Sequence, residues 1–284
     1  MESDEAEKVF NQYAEAYRDW WGPIIEPSAV RLLDRVSPAG SDGAPFDLLD
    51  VGTGTGALAL AVLERWPGAR VTGIDPSSRM LDVAAERARV RSADLLERLR
   101  LVIASADRMP LPDQSMDLVL SSFVIQLVPK RATVLREIRR VLRPAGRVAM
   151  VTWQEDDLAF EPDELFGDVV EELRIERPEE HRDVHPYTSA RAAAREFQRA
   201  GFREVDARAD WLEHRFTPEG YLDLLEHWIE RELFEKLDAD RREHLRAMAL
   251  RRMRELGTTA FVWRRPLVSV TGVAPPPKAR RPPW

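Results

Sequence analysis

Apolar residues recur at helical spacing near the start of the chain. Val9, Phe10, Tyr13 and Tyr17 predict an amphipathic helix over residues 4 to 20. Trp20-Trp21-Gly22-Pro23 reads as its end, because proline drives the residue before it out of the helical region. A second helix is expected over 27 to 36, with Val30, Leu33 and Val36 on one face, followed by a Ser/Pro/Gly loop to residue 43. The period then changes. Short apolar runs at 46–51, 70–74, 101–104, 116–121 and 147–153 predict strands, and helical patterns at 57–65, 77–90 and 130–142 lie between them. Strands alternating with helices imply a parallel sheet covered on both faces. Strands such as Leu118-Val119-Leu120 are continuously apolar, as burial on both faces requires.

Beyond residue 154 the alternation weakens. Residues 155–186 are acidic and carry Pro162, Pro178 and Pro186. A helix is expected at 188–200, a strand at 204–209, strong helical character over 218–256 and a last strand at 267–273. The Pro/Arg-rich tail 275–284 reads as extended or disordered. The expected fold is thus α/β: a Rossmann-like, mostly parallel, seven-stranded sheet with helices on both faces and a helical cap. The expected division is a helical lid over 1–45, a ligand-binding core over 46–154, and the remaining strands with cap insertions over 155–274.

Composition narrows the function. The 284 residues are 44% hydrophobic, enough for a sizeable core, yet no apolar run reaches the length of a membrane span. The acidic start lacks the features of a secretory leader, so a cytoplasmic location is expected. Cysteine is absent, which excludes disulfides, thiolate metal sites and a cysteine nucleophile. The net charge of −7 argues against nucleic acid as a partner. Arginine supplies nearly all the positive charge, which fits a GC-rich bacterial genome.

Chemistry concentrates at Asp50-Val51-Gly52-Thr53-Gly54-Thr55-Gly56, between an expected strand and helix. Glycines there allow a tight turn and close approach of a ligand to the backbone. Gly52, Gly54 and Ala57 also satisfy the dinucleotide fingerprint, so the loop leaves an NAD-dependent oxidoreductase open. Asp75, about 20 residues on, can accept from both hydroxyls of a ribose, or cap the next helix before Pro76. Asp50 discriminates better, because a carboxylate beside the loop disfavours pyrophosphate and favours a cationic ligand.

The Asp50–Gly56 loop resembles the first motif of class I S-adenosylmethionine-dependent methyltransferases. Residues 104–117, 118–128 and 141–147 resemble that family's later motifs in order, most closely in the ubiquinone/menaquinone-type branch. The resemblance covers residues 10 to 153. It implies S-adenosylmethionine as cofactor, with S-adenosylhomocysteine as product. Gly52, Thr53, Gly54 and Gly56 would approach the methionine part, with Asp50 beside them. Asp75 would hold the ribose, Pro76 and Met80 would pack near adenine, and Asp107, between Ala106 and Arg108, would meet the adenine amino group. Ser121, Ser122 and Phe123 would line the floor, and Tyr13 and Tyr17 would cover the cofactor. Arg18 and Ala145 depart from the branch, which usually has Asp and Gly there.

Methyl transfer from a sulfonium needs no metal and no protonated leaving group, so positioning can supply most of the catalysis. A base is needed only where the acceptor loses a proton. His214 and His185 are the candidate bases, Gln126 is placed to orient an acceptor, and no metal site is expected. Trp20, Trp21, Trp153, Trp211 and Trp228 are candidates for an aromatic acceptor pocket or for packing. The segment Ser121-Ser122-Phe123-Val124 is not the Asn/Asp-Pro-Pro-aromatic motif of amide- and adenine-nitrogen methylation. A small-molecule O, N or C acceptor is therefore favoured. A silent S-adenosylmethionine-binding protein and an RNA or protein methyltransferase remain as alternatives.

Overall fold

The computed structural model describes residues 8, 10–37, 43–178 and 184–276. Seven strands form one sheet: β1 Phe46–Val51, β2 Ala69–Asp75, β3 Leu99–Ile103, β4 Met116–Ser122, β5 Leu142–Trp153, β6 Arg203–Arg215 and β7 Val262–Val273. Their order is β3-β2-β1-β4-β5-β7-β6. The first five are mutually parallel, and β7 runs antiparallel to both its neighbours. Chain order reverses between β1 and β4, and a doubly wound sheet opens its ligand crevice at such a switch, beyond the strands' carboxyl ends.

Successive residues of β1 serve opposite faces. Leu48 joins a core with α2 (Ala57–Arg65), α1 (Gly22–Arg31) and α6 (Glu161–Glu172), while Leu49 joins one with α5 (Arg131–Val141) and α7 (Ala190–Arg199). The first core continues into the cap, made of α8 (Pro218–Leu224), α9 (Arg231–Glu235) and α10 (Ala239–Met253), through Phe234, Leu245 and Met253. On the other edge, α3 (Ser78–Arg91) and the short α4 (Ala93–Glu97) pack beside β3. Side-chain caps fix the starts of several helices: Ser77 Oγ accepts from Met80 N, and Ser189 Oγ from Ala192 N.

Three expectations change. Gly22-Pro23 does not end the N-terminal helix. A π-turn, Tyr17–Trp21, runs directly into α1, and Pro23 lies in the first turn of α1, where a missing N–H costs little. Pro162 likewise lies in the first turn of α6, within the stretch expected to supply cap insertions. The helical stretch 218–256 is interrupted by a second π-turn, Leu225–Ile229, and by a turn before α10. Finally β6 and β7 are longer than expected, pairing from Arg215↔Val262 onward. The tail beyond residue 276 and residues 1–7 lie outside the described residues.

Candidate functional site

The turn from β1 into α2 is built on backbone that L side chains avoid. Gly52, Gly54 and Gly56 have φ of 67°, 52° and 80°. A Cβ on Gly52 would overlap Val124 Cγ2, so this glycine is set by the approach of the β4 loop. A Cβ on Gly54 would meet nothing within 4 Å, leaving its outer face open to a ligand. Thr53 N donates to Ile74 O at 2.9 Å, which ties the turn to the end of β2.

Two carboxyl groups sit under this turn. Asp50 is 1% exposed, and Thr53 Oγ1 donates to its Oδ2 at 2.8 Å. Its Oδ1 is buried with no hydrogen-bond partner, although Ala59 N–H in the first turn of α2 lies near enough to favour the charge. Desolvation dominates, and together with repulsion from Asp75 it raises the Asp50 pKa to about 7. Asp50 thus occupies the anion-attracting end of α2, where a dinucleotide enzyme would seat its pyrophosphate. Asp75, at the end of β2, accepts from Gly54 N and from Ser77 N, both at 2.9 Å, and burial pushes its pKa up to about 6. The capping role falls to Ser77, and Asp75 shapes the turn before α3 and faces the glycine loop. An open glycine face bordered by two carboxyl groups suits an adenosyl cation and opposes a pyrophosphate.

The N-terminal segment closes over this edge. Asn11 Oδ1 accepts from Ser77 Oγ at 2.8 Å and Arg79 N at 3.1 Å. Arg87 Nη1 bridges Glu26 at 2.8 Å to the Thr55 carbonyl at 3.1 Å, fastening α1 to the glycine loop. Tyr17 lies near enough to Asp75 for that carboxylate, after burial, to raise its hydroxyl pKa. Met80 packs with Ala14 and Val83 against Phe10 and Tyr17. Tyr13 turns toward the cap, where the Arg231 guanidinium lies 4.1 Å from its ring centroid. Arg18 points outward and pairs with Asp19, away from these contacts. On the opposite side, Pro76 is half-buried, Ala106 is buried, and Asp107 and Arg108 are exposed.

The floor comes from β4. Ser121 Oγ donates to Val51 O at 2.9 Å, Ser122 is half-buried, and Phe123 is held at φ 55°. Gln126 explains how that conformation is kept. It is 3% exposed, its Nε2 donates to Phe123 O at 2.6 Å, and its Oε1 accepts from Thr152 Oγ1 at 2.5 Å. Both ends of its amide are committed to the protein, so Gln126 positions the loop and does not reach an acceptor, contrary to the sequence expectation.

Beyond Phe123 lies a continuous group of aromatic rings. Phe123 packs on Trp153 at 4.7 Å between centroids, and Trp153 meets Trp21 at 6.2 Å and Trp263 at 6.0 Å. Trp21 stacks on Trp228 at 6.4 Å, and Trp228 meets Tyr17 at 5.5 Å. Phe216 extends the group from Trp263 to His214, whose ring lies 4.5 Å from it. Burial lowers the His214 pKa, which keeps its imidazole neutral. His185 is exposed at the rim, its backbone N–H donating to Gln126 O. Two of the tryptophans offered as pocket candidates stand apart from the group: Trp211 is 40% exposed under Arg264, and Trp20 rests on His227. Trp263 and Phe216 were missed, since β7 was expected to begin after Trp263 and nothing in the local pattern brings these rings to Trp153. Asn11, Glu26 and Arg87 were missed because polar residues on helix faces carry no such signal.

A family model described as a methyltransferase domain matches residues 49–150. A malonyl-[acyl-carrier protein] O-methyltransferase of Halorhodospira halophila is 34% identical over 177 residues, 62% of this chain and 57% of the relative. A ubiquinone/menaquinone biosynthesis C-methyltransferase of Paracoccus denitrificans is 34% identical over 58% of this chain and 70% of its own length. The matched region therefore spans little more than half of the first relative. Among solved structures, phosphoethanolamine N-methyltransferase 2 of Haemonchus contortus, with S-adenosylhomocysteine, superposes with a TM-score of 0.57 at 18% identity, over 93% of this chain and 57% of that one. A [4+2]-cyclase does so with 0.56 at 19% identity, over 91% and 84%. Likeness at that identity is a likeness of fold. The sequence relatives go further, and the chain belongs to the class I S-adenosylmethionine-dependent methyltransferases, in the type 11 branch. Among the described residues, no helix is long and apolar enough to cross a membrane.

Proposed function

We propose that the protein is a cytoplasmic enzyme that binds S-adenosylmethionine across the Gly52–Gly56 turn and methylates a small molecule at the aromatic group beside it. The observation that carries this reading is the pair of buried carboxyl groups, Asp50 and Asp75, around a glycine turn whose Gly54 face is open. S-adenosylmethionine supplies an electrophilic methyl on a sulfonium whose departure leaves a neutral thioether.

In this reading Gly52 and Gly54 let the cofactor approach the backbone, and Asp75 accepts from its ribose hydroxyls. Pro76, Met80 and Ala106 flank the adenine, Asp107 accepts from its amino group, and Ser121, Ser122 and Phe123 form the floor. Tyr13 and Tyr17 cover it, with residues up to 45 and α8 to α10 as the lid and cap. Trp21, Trp153, Trp228 and Trp263 exclude water and hold an acceptor with an apolar or planar body. His214, neutral through burial, takes a proton on its imidazole from an acceptor that must lose one. His185 is the second candidate, at the rim.

Thermal unfolding of the purified chain with S-adenosylmethionine, S-adenosylhomocysteine or NAD tests the reading. A ligand at about 100 times its Kd stabilises the native state by roughly 2.7 kcal/mol, a rise of several degrees in Tm. The two adenosyl ligands should raise Tm and NAD should not; a rise with NAD alone would overturn the assignment.

A further inference from the structure

Between α5 and α7, on the face of the sheet opposite the cap, lies a depression of about 230 Å³. Arg195 and Arg199 stand one helical turn apart on its α7 wall, both exposed and with no ion-pair partner among the described residues. Arg131, at the start of α5, lies with its guanidinium 4.4 Å from the Tyr187 ring centroid. It also donates to His185 O at 2.9 Å and approaches Glu196 at 3.4 Å. Three guanidinium groups thus face one carboxylate, in a chain whose net charge is −7.

Tyr187 is the second observation. It is 3% exposed, and its hydroxyl is buried with no hydrogen-bond partner. Burial, then the nearby Glu196 carboxylate and a weak contact of the hydroxyl with it, raise its pKa, so the group is a protonated donor that does not meet its one nearby acceptor, Glu196, with ordinary hydrogen-bond geometry. Native proteins seldom leave such a donor unmet. The missing element is an oxygen acceptor that also carries negative charge. A tetrahedral phosphoryl group provides several, and guanidinium forks match it in pairs.

We propose that this depression binds a phosphoryl-class oxyanion through Arg131, Arg195, Arg199 and the Tyr187 hydroxyl. Its wall is continuous with the acceptor side of the molecule. Tyr187 N donates to Trp153 O at 3.2 Å, and His185 N donates to Gln126 O at 2.8 Å. An anion held here would therefore brace the segment that supports Phe123 and Trp153.

The test is calorimetric titration of the full chain with inorganic phosphate, at ionic strength held constant with sodium chloride. Saturable binding is expected. The double substitution Arg195→Gln/Arg199→Gln should weaken it by about tenfold or more, and Tyr187→Phe by about threefold. The Tm rise given by S-adenosylmethionine should stay as in the parent chain. Glycerol 3-phosphate separates the sources: equal binding means a phosphoryl group carried on a larger molecule, and weaker binding means the free ion. The proposal is overturned if phosphate does no more than chloride, or if either variant binds it unchanged. It is equally overturned if an acidic polyglutamate peptide binds and phosphate does not.

Discussion

Replacing Asp75 by alanine should separate cofactor recognition from folding. Burial raises the Asp75 pKa from an ordinary 3.8 to about 6. At ~1.4 kcal/mol per pH unit, that corresponds to roughly 3 kcal/mol. For an acid with a raised pKa, the contribution to stability is fully present below the unfolded value near 3.8 and is lost as pH rises to about 6. At pH 7.5 the ionised carboxylate is therefore a burden on the free protein, and alanine removes it. Alanine also deprives Gly54 N and Ser77 N of their acceptors, at a cost of about 1–3 kcal/mol each. The opposing effects leave a net change between a gain of about 1 and a loss of about 3 kcal/mol. Binding has no such compensation. Two ribose hydroxyls donating to a carboxylate contribute about 1.5–3 kcal/mol each, so Kd for S-adenosylmethionine should rise by about a hundredfold or more. Titration calorimetry reads the affinity and urea unfolding reads the stability. A folded Asp75→Ala protein whose Kd lies within about threefold of the parent would refute the placement of the ribose at Asp75.

Four further outcomes follow from the same geometry. Gly52→Ala should destabilise the fold by about 2 kcal/mol or more in urea, since its Cβ overlaps Val124, whereas Gly54→Ala should cost about 1 kcal/mol and act mainly by filling cofactor space, seen as lost affinity. Because Asp50 and Asp75 have pKa values raised to about 7 and about 6, affinity for the cationic cofactor should fall by about tenfold as pH drops from about 8 to about 5.5, and a flat profile by calorimetry would contradict this. Ala145 sits at φ 63° with an exposed side chain, so Ala145→Gly should stabilise by up to about 1 kcal/mol in urea without altering cofactor Kd. His214→Gln should lower kcat by about tenfold or more with an acceptor that loses a proton, measured by S-adenosylhomocysteine release, while Kd for the cofactor stays unchanged.

The parts of this site that could be read along the chain share a physical origin. Gly52, Gly54 and Asp75 are dictated by local backbone: a left-handed turn after a buried strand, and a strand end one βα unit later. Such constraints act over a few residues and leave their mark at fixed spacing. The strands that carry them were legible for the same reason, since a strand buried on both faces is a continuous apolar run, and β1 spans the residues that the run marks. The acceptor side is made differently. Trp21, Trp153, Trp228 and Trp263 meet only because a π-turn, a strand end, a second π-turn and the antiparallel β7 converge at the carboxyl end of β5. Each of these rings could equally have been core packing in its own element. Proline misled for a related reason: Pro23 breaks a helix only where its N–H is needed, and it falls in a first turn, where it is not. Gln126 shows the same split within one residue. Its type and position suggested contact with an acceptor, but Thr152, 26 residues away, takes one end of the amide and Phe123 O the other. A polar side chain after the fourth strand is thus turned inward by a partner on the fifth, and its effect on chemistry passes through the Phe123 backbone that it holds.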